Sequence, residues 1–181
     1  TKEEILSLTE QYRSMSMDLM EWRVDWFEGV EDTQAVLDVL SGVREKLGDT
    51  PLLFTFRTKK EGGVHEMDTT AYVSLNKAVA ATGLADLIDV EIFTGDGVVS
   101  DLISAIHASG TKVVASNHDF DKTPAKSDIL YRLRKMQDMG ADIPKIAVMP
   151  KSKRDVLTLL SATEEMASDY ADRPIITMSM A

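Results

Sequence analysis

Helix-like and strand-like stretches alternate along the whole sequence, and nearly every strand-like run ends on polar or reactive residues. These two features predict an α/β fold of the (β/α)8 (TIM) barrel kind, represented here by about six consecutive α-β units. Amphipathic helical stretches fall near 2–15, 33–47, 69–82, 98–109, 125–138 and 153–170, and strand-like runs near 19–24, 51–57, 86–92, 111–116, 143–148 and 174–179. The helical spacing is plainest in Val36, Leu37, Leu40, Val43 and Leu47, and again in Ile129, Leu130, Leu133 and Met136. Gly48, Gly83, Gly110 and Gly140 each stand just past a helix, where a left-handed residue ends it, and Thr123-Pro124 sets up a helix start.

Successive α-β units require a parallel sheet covered by helices, either open and doubly wound or closed into a barrel. No Gly-rich phosphate loop follows any strand, which weakens the nucleotide-binding open sheet. Polar strand ends favour the barrel more strongly: Glu21 and Arg23, Arg57, Asp89 and Glu91, His118, and Lys145. An open sheet needs such residues only at its switch point, whereas a barrel gathers every strand end at one mouth. Parity agrees, because residues two apart share a face: Glu21 with Arg23, Thr55 with Arg57, Asp89 with Glu91, Ser116 with His118, Met178 with Met180. The intervening Trp22, Phe54, Phe56 and Val90 suit a strand–helix interface. Residues 1–181 read as a single barrel domain, without linkers or low-complexity segments.

Composition narrows the partners. A net charge of −10 disfavours nucleic acid and anionic membranes, although a local cluster of cations still permits a small anionic substrate. Zero cysteines exclude disulfides, thiolate chemistry and cysteine-ligated zinc, and fit a cytoplasmic location. No apolar run approaches the roughly 18 residues of a membrane span.

Lys145 lies mid-strand in Ile143-Pro144-Lys145-Ile146-Ala147-Val148-Met149. An ammonium there is costly unless it faces a polar cavity or loses its proton, and a neutral amine attacks ketones to form imines. The plain alternative is a lysine that snorkels to solvent. His118 ends the preceding strand, as a proton carrier or as a loop histidine satisfied by hydrogen bonds. His65 and His107 carry less, one in a loop and one on a helix surface. Glu21, Arg23, Arg57, Glu61, Asp89 and Glu91 form either a network of ion pairs or a recognition surface for a polyhydroxylated acid. Carboxylates with His118 would suit a divalent metal, but a central lysine competes with the cation. Glu61-Gly62-Gly63 is a lid hinge or a turn.

Taken together, the chain resembles class I (Schiff-base) 3-dehydroquinate dehydratases along its length. The resemblance rests on Glu21-Trp22-Arg23-Val24-Asp25, Leu53-Phe54-Thr55-Phe56-Arg57 with Lys60-Glu61-Gly62-Gly63, and Ser116-Asn117-His118-Asp119-Phe120 with Lys122-Thr123-Pro124. It continues through Ile143-Pro144-Lys145-Ile146-Ala147-Val148-Met149-Pro150, Asp155-Val156-Leu157-Thr158-Leu159-Leu160 and Ile175-Ile176-Thr177-Met178-Ser179-Met180. It implies that Lys145 forms the imine with 3-dehydroquinate, that His118 moves the protons, and that Glu61 assists and orients His118. Glu21, Arg23 and Arg57 would hold ring hydroxyls, with Met178 and Met180 along the apolar side of the ring. It further implies neither metal nor organic cofactor, and a homodimer. A barrel of about 250 residues would also need a strand before residue 1 and a last strand, an arginine for the substrate carboxylate and a lid after residue 181. Residues 1–181 alone are therefore expected to turn over poorly. A class I aldolase-like barrel enzyme, which would share only the lysine, and a non-catalytic binding domain or inactive fragment on the same fold are the alternatives.

Overall fold

The computed structural model describes residues 1–15 and 17–180. The chain packs as two compact units, Thr1–Asp89 with Ser104–Lys112, and Val90–Ile103 with Val113–Ala181. The helices are α1 (Lys2–Arg13), α2 (Thr33–Leu47), α3 (Thr69–Thr82), α4 (Asp96–Ala108), α5 (Lys126–Asp138) and α6 (Lys153–Glu165). The strands are β1 (Met20–Arg23), β2 (Leu52–Thr55), β3 (Leu87–Glu91), β4 (Lys112–Asp119), β5 (Ile143–Val148) and β6 (Ile176–Ser179).

In the first unit, β1 pairs with β2 and β2 with β3, all parallel. All four residues of β2 are buried, because one face meets helices and the other meets side chains of the neighbouring strands. Helix α2 starts where the Asp32 carboxylate accepts from the backbone of Gln34 and Ala35, and Asp68 caps α3 in the same way. The inner face of α2 buries Val36, Val39, Leu40, Val43 and Leu47, each contributing about 1.5–3 kcal/mol of burial. Aromatic edges join the layers: Trp22 meets Phe54 at 5.7 Å and Phe56 meets Tyr72 at 6.1 Å, both edge-on.

In the second unit, β4, β5 and β6 pair in order and in parallel. Helix α5 buries Ile129, Leu130, Leu133 and Met136, as its spacing predicts. Helix α6 continues past Glu165 into a π-turn at Met166–Tyr170. The outer strand β6 leaves Ile176 and Met178 exposed.

Both units use one device at the N-terminal ends of their strands. The carboxylate just before β3, Asp86, accepts from the first N–H of β2 at Leu52, 2.8 Å away; Asp142, just before β5, does the same for Val113 of β4, also at 2.8 Å. Each carboxylate satisfies a strand-end donor that no ladder reaches.

Several boundaries differ from the sequence reading, three of them near the site. Strand β4 runs past the expected 111–116 to Asp119, which keeps His118 on the strand and adds Asn117 and Asp119 to it. Strand β2 stops at Thr55, which places Arg57 beyond its end, and Pro124 stands before the α5 N-cap Ala125 instead of in the first turn. The four glycines past helices all take positive φ, between 59° and 93°.

Candidate active site

The first unit supplies a buried set of charges. Glu21 lies level with Leu53, and Arg23 with Thr55, so these four side chains share one face. Leu53 lies level with Leu87, which brings Asp89, two residues on, to that face as well. The Thr55 hydroxyl donates to a Glu21 carboxylate oxygen at 2.7 Å. Arg57, beyond the end of β2, donates from Nη2 to Asp89 Oδ2 at 2.8 Å, and its Nη1 lies 3.7 Å from Glu61 Oε2. All three side chains are almost wholly withdrawn from solvent, with 3%, 0% and 5% exposure. Such charges are tolerable inside a protein only when they compensate one another.

Arg23 turns to Asp25, giving two parallel bonds, Nε at 2.6 Å and Nη2 at 2.8 Å. Asp25 is fully buried and also accepts from the backbone N–H of Arg57 at 3.5 Å and of Val64 at 3.3 Å. One carboxylate thus ties the short helical turn after β1 to both ends of the segment that carries Glu61. That segment is a tight turn, with a 3-10 helix at Lys59–Glu61 and Gly62 at φ +86°. Gly63 sits so close that a Cβ there would fall 1.8 Å from the Arg57 carbonyl oxygen. Of the two sequence readings of these glycines, the turn is the one that fits.

The second unit carries Lys145 and His118. Lys145 lies level with Ser116 on one side and Ile176 on the other; Ala147 lies level with His118 and Met178. In-register neighbours share a face, so Ser116, His118, Lys145 and Met178 look the same way. Lys145 is 8% exposed, on a strand otherwise apolar from Ile146 to Val148. One strand spacing across and two residues along separate the Lys145 and His118 Cα atoms by about 8 Å, close enough for both side chains to reach one small molecule. The His118 ring stacks on Phe120 at 6.4 Å between centroids and 20° between planes. Met180 follows β6 and is half-buried, while Met178 is exposed.

Among the described residues, no group of three or more His, Asp or Glu side chains is placed to hold a metal ion. His107 lies exposed on α4, and His65 in the loop after Gly63. Asp25 is the residue that sequence reasoning passed over: it was visible only as the carboxylate two places after Arg23, and its backbone partners lie 32 and 39 residues away.

Comparison with known proteins identifies the family. The family model described as type I 3-dehydroquinase matches residues 1–181. The 3-dehydroquinate dehydratase of Salmonella agona (strain SL483) is 55% identical over 169 residues, covering 93% of this chain and 67% of that protein. The solved type I 3-dehydroquinate dehydratase of Clostridium difficile is 50% identical with a TM-score of 0.98, covering 99% of this chain and 71% of the other. That of Enterococcus faecalis is 46% identical with a TM-score of 0.97, covering 99% and 75%. The fold is accordingly the (β/α)8 barrel, present as six consecutive α-β units. With full-length coverage by the family model and relatives at half identity, the chain belongs to the type I 3-dehydroquinase family, enzymes that dehydrate 3-dehydroquinate.

Proposed function

We propose that the dehydration runs through a Schiff base on Lys145, with His118 as the proton carrier. The observation that carries this is the placement of Lys145, an amine withdrawn from solvent in mid-strand on the same face as His118 and Ser116. The amine adds to the C3 ketone of 3-dehydroquinate and water leaves, giving an iminium. His118 takes a proton from C2; the C–H electron pair becomes the C2–C3 double bond and the C–N π pair settles on nitrogen, giving an enamine. The pair then returns to expel the C1 hydroxyl, which leaves as water with the proton from His118. Hydrolysis of the remaining imine releases 3-dehydroshikimate and restores the amine. The iminium is the electron sink, so the scheme needs neither metal nor organic cofactor.

Glu61 takes the assisting role toward His118 that the family resemblance implies. Glu21, Arg23 and Arg57 serve the ring hydroxyls, and Met178 and Met180 the apolar side of the ring. The Clostridium difficile relative was solved with covalent modified comenic acid, and an amine facing the same way as His118 suits covalent capture of a carbonyl compound here as well. A cytoplasmic homodimer acting on a small molecule completes the reading.

The test is borohydride reduction in the presence of 3-dehydroquinate, beside sugar phosphates as competing carbonyl substrates, followed by peptide mass spectrometry. The expected result is one irreversible adduct, on Lys145 and with 3-dehydroquinate only. Label on another lysine, or none, sinks the mechanism; label with sugar phosphates instead assigns the lysine to aldolase-like chemistry.

A further inference from the structure

The His118 end of β4 is gripped from behind by a residue that the proposed mechanism does not use. Strand alternation turns Asn117 and Asp119, the two neighbours of His118, to the face opposite the imidazole. There they meet Arg132 of α5. Its Nη1 donates to Asn117 Oδ1 at 2.8 Å and lies 3.5 Å from Asp119 Oδ2. The other edge of the same guanidinium is fixed by Asp128, one helical turn earlier, through Nε at 3.3 Å and Nη2 at 2.7 Å. The ring of Phe93 lies 5.8 Å from its central carbon and completes the seat. Arg132 is 16% exposed, so these bonds are only weakly screened.

The remaining contacts of the strand end come from elsewhere. The Asp119 carbonyl accepts from Met149 N–H at 2.9 Å, and its other carboxylate oxygen accepts from Asp121 at 3.2 Å and Lys122 at 3.1 Å. The backbone at His118 is thus clamped across the ladder by β5 and from the helix layer by Arg132. A planar guanidinium spans Asp128 on one edge and Asn117 on the other, which a lysine ammonium cannot do.

We propose that Arg132 is a positioning residue for His118, holding β4 in the twist at which the imidazole meets the substrate proton. This rests on the reading of His118 as the proton carrier. The consequence falls chiefly on the proton transfer at C2: the amine that forms the imine is carried by β5, whereas the aim of the imidazole is set by β4. An ångström of misplacement at a catalytic group costs up to about 100-fold in rate.

The experiment compares His118→Ala, Arg132→Met and the double variant with the parent enzyme. Arg132→Met is expected to lower kcat by about 10- to 100-fold, leave KM within about 2-fold, and keep the borohydride adduct at parental yield. The double variant is expected to turn over no more slowly than His118→Ala alone, because the arginine acts only through the histidine. Should Arg132→Met fail to fold, Asn117→Ala cuts the same link from the strand side and is expected to give the same pattern. Parental kcat in both variants overturns the proposal, as does a parallel loss of adduct and kcat, or a double variant slower than His118→Ala by the full single-variant factor. Near-parental turnover in His118→Ala alone overturns the reading of His118 itself, so the two failures are distinguishable.

Discussion

The charged side chains at the strand ends of the first unit are bound to one another, whereas Lys145 of the second stands on an otherwise apolar strand. Arg57 meets Asp89 and Glu61, Arg23 meets Asp25, and Thr55 meets Glu21, all within a single unit. Lys145 instead lies between Pro144 and Ile146, level with Ser116 and Ile176. The first arrangement is held by its own ion pairs and hydrogen bonds, so its polar groups are set in place before anything binds. In the proposed mechanism the second is the reactive one, because it holds an amine on the face it shares with His118, where a bound ketone can meet both. In that reading one fold uses strand ends in two ways, as a fixed charged template in the first unit and as the place of bond making in the second.

The largest effect should come from breaking that compensation. Asp89→Ala removes the carboxylate that meets the buried Arg57 guanidinium at 2.8 Å, and is expected to cost about 3–5 kcal/mol of unfolding free energy. Lys145→Met, which swaps a buried amine for an apolar chain of similar length, is expected to change stability by less than about 1 kcal/mol while abolishing turnover. Urea titrations of the two variants decide the matter. Equal losses would show that the second unit relies on its charge as heavily as the first.

This contrast was only partly legible in the sequence. Helices α2 and α3 and strand β5 fall where periodicity and flanking signals put them, because Asp32, Asp68, Gly48 and Gly83 are local devices acting within a few residues. Alternation assigned Glu21, Arg23, His118 and Met178 to their faces, since that needs only the two-residue period. Partners were not legible. Nothing local says that Arg57 chooses Asp89, 32 residues on, or that Arg132 reaches back 15 residues to Asn117. The full length of β4 was less plain, because its apolar run stops near residue 116; parity put His118 at its end, but only the ladder to β5 carries the strand on to Asp119. Spacing fixes the face a side chain takes, and tertiary packing fixes its partner.

A smaller effect should follow from Gly63→Ala, which tests whether the rigidity of the first unit extends to its loop. The added methyl would fall 1.8 Å from the Arg57 carbonyl oxygen, a backbone atom that has no rotamer to yield. The turn must shift, at a cost of about 1–3 kcal/mol, taking Glu61 and the backbone bonds to Asp25 with it. Turnover should fall, while borohydride trapping at Lys145 persists. Unchanged stability together with unchanged turnover would mean that the loop after β2 adapts freely.

The smallest effect lies on the surface, where compensation brings little. Glu10 of α1 and Lys46 of α2 pair at 3.0 Å, and that hydrogen bond holds the Glu10 carboxyl below its ordinary value of 4.5. A depressed carboxylate contributes stability that is fully present above the unfolded value and is lost as pH falls through the folded one. Glu10 is fully exposed, so water and salt screen the pair. Glu10→Gln should therefore lower Tm near neutral pH by about 2 °C or less. The gap should close as pH falls below 4.5, and also in about 1 M salt. Thermal unfolding of the two proteins from pH 7 down to pH 3 measures it. A larger gap, or one that persists in acid and salt, would show that the α1–α2 contact draws on this carboxylate as the buried charges draw on theirs. The distinction between compensated interior charge and dispensable surface charge would then fail within the first unit itself.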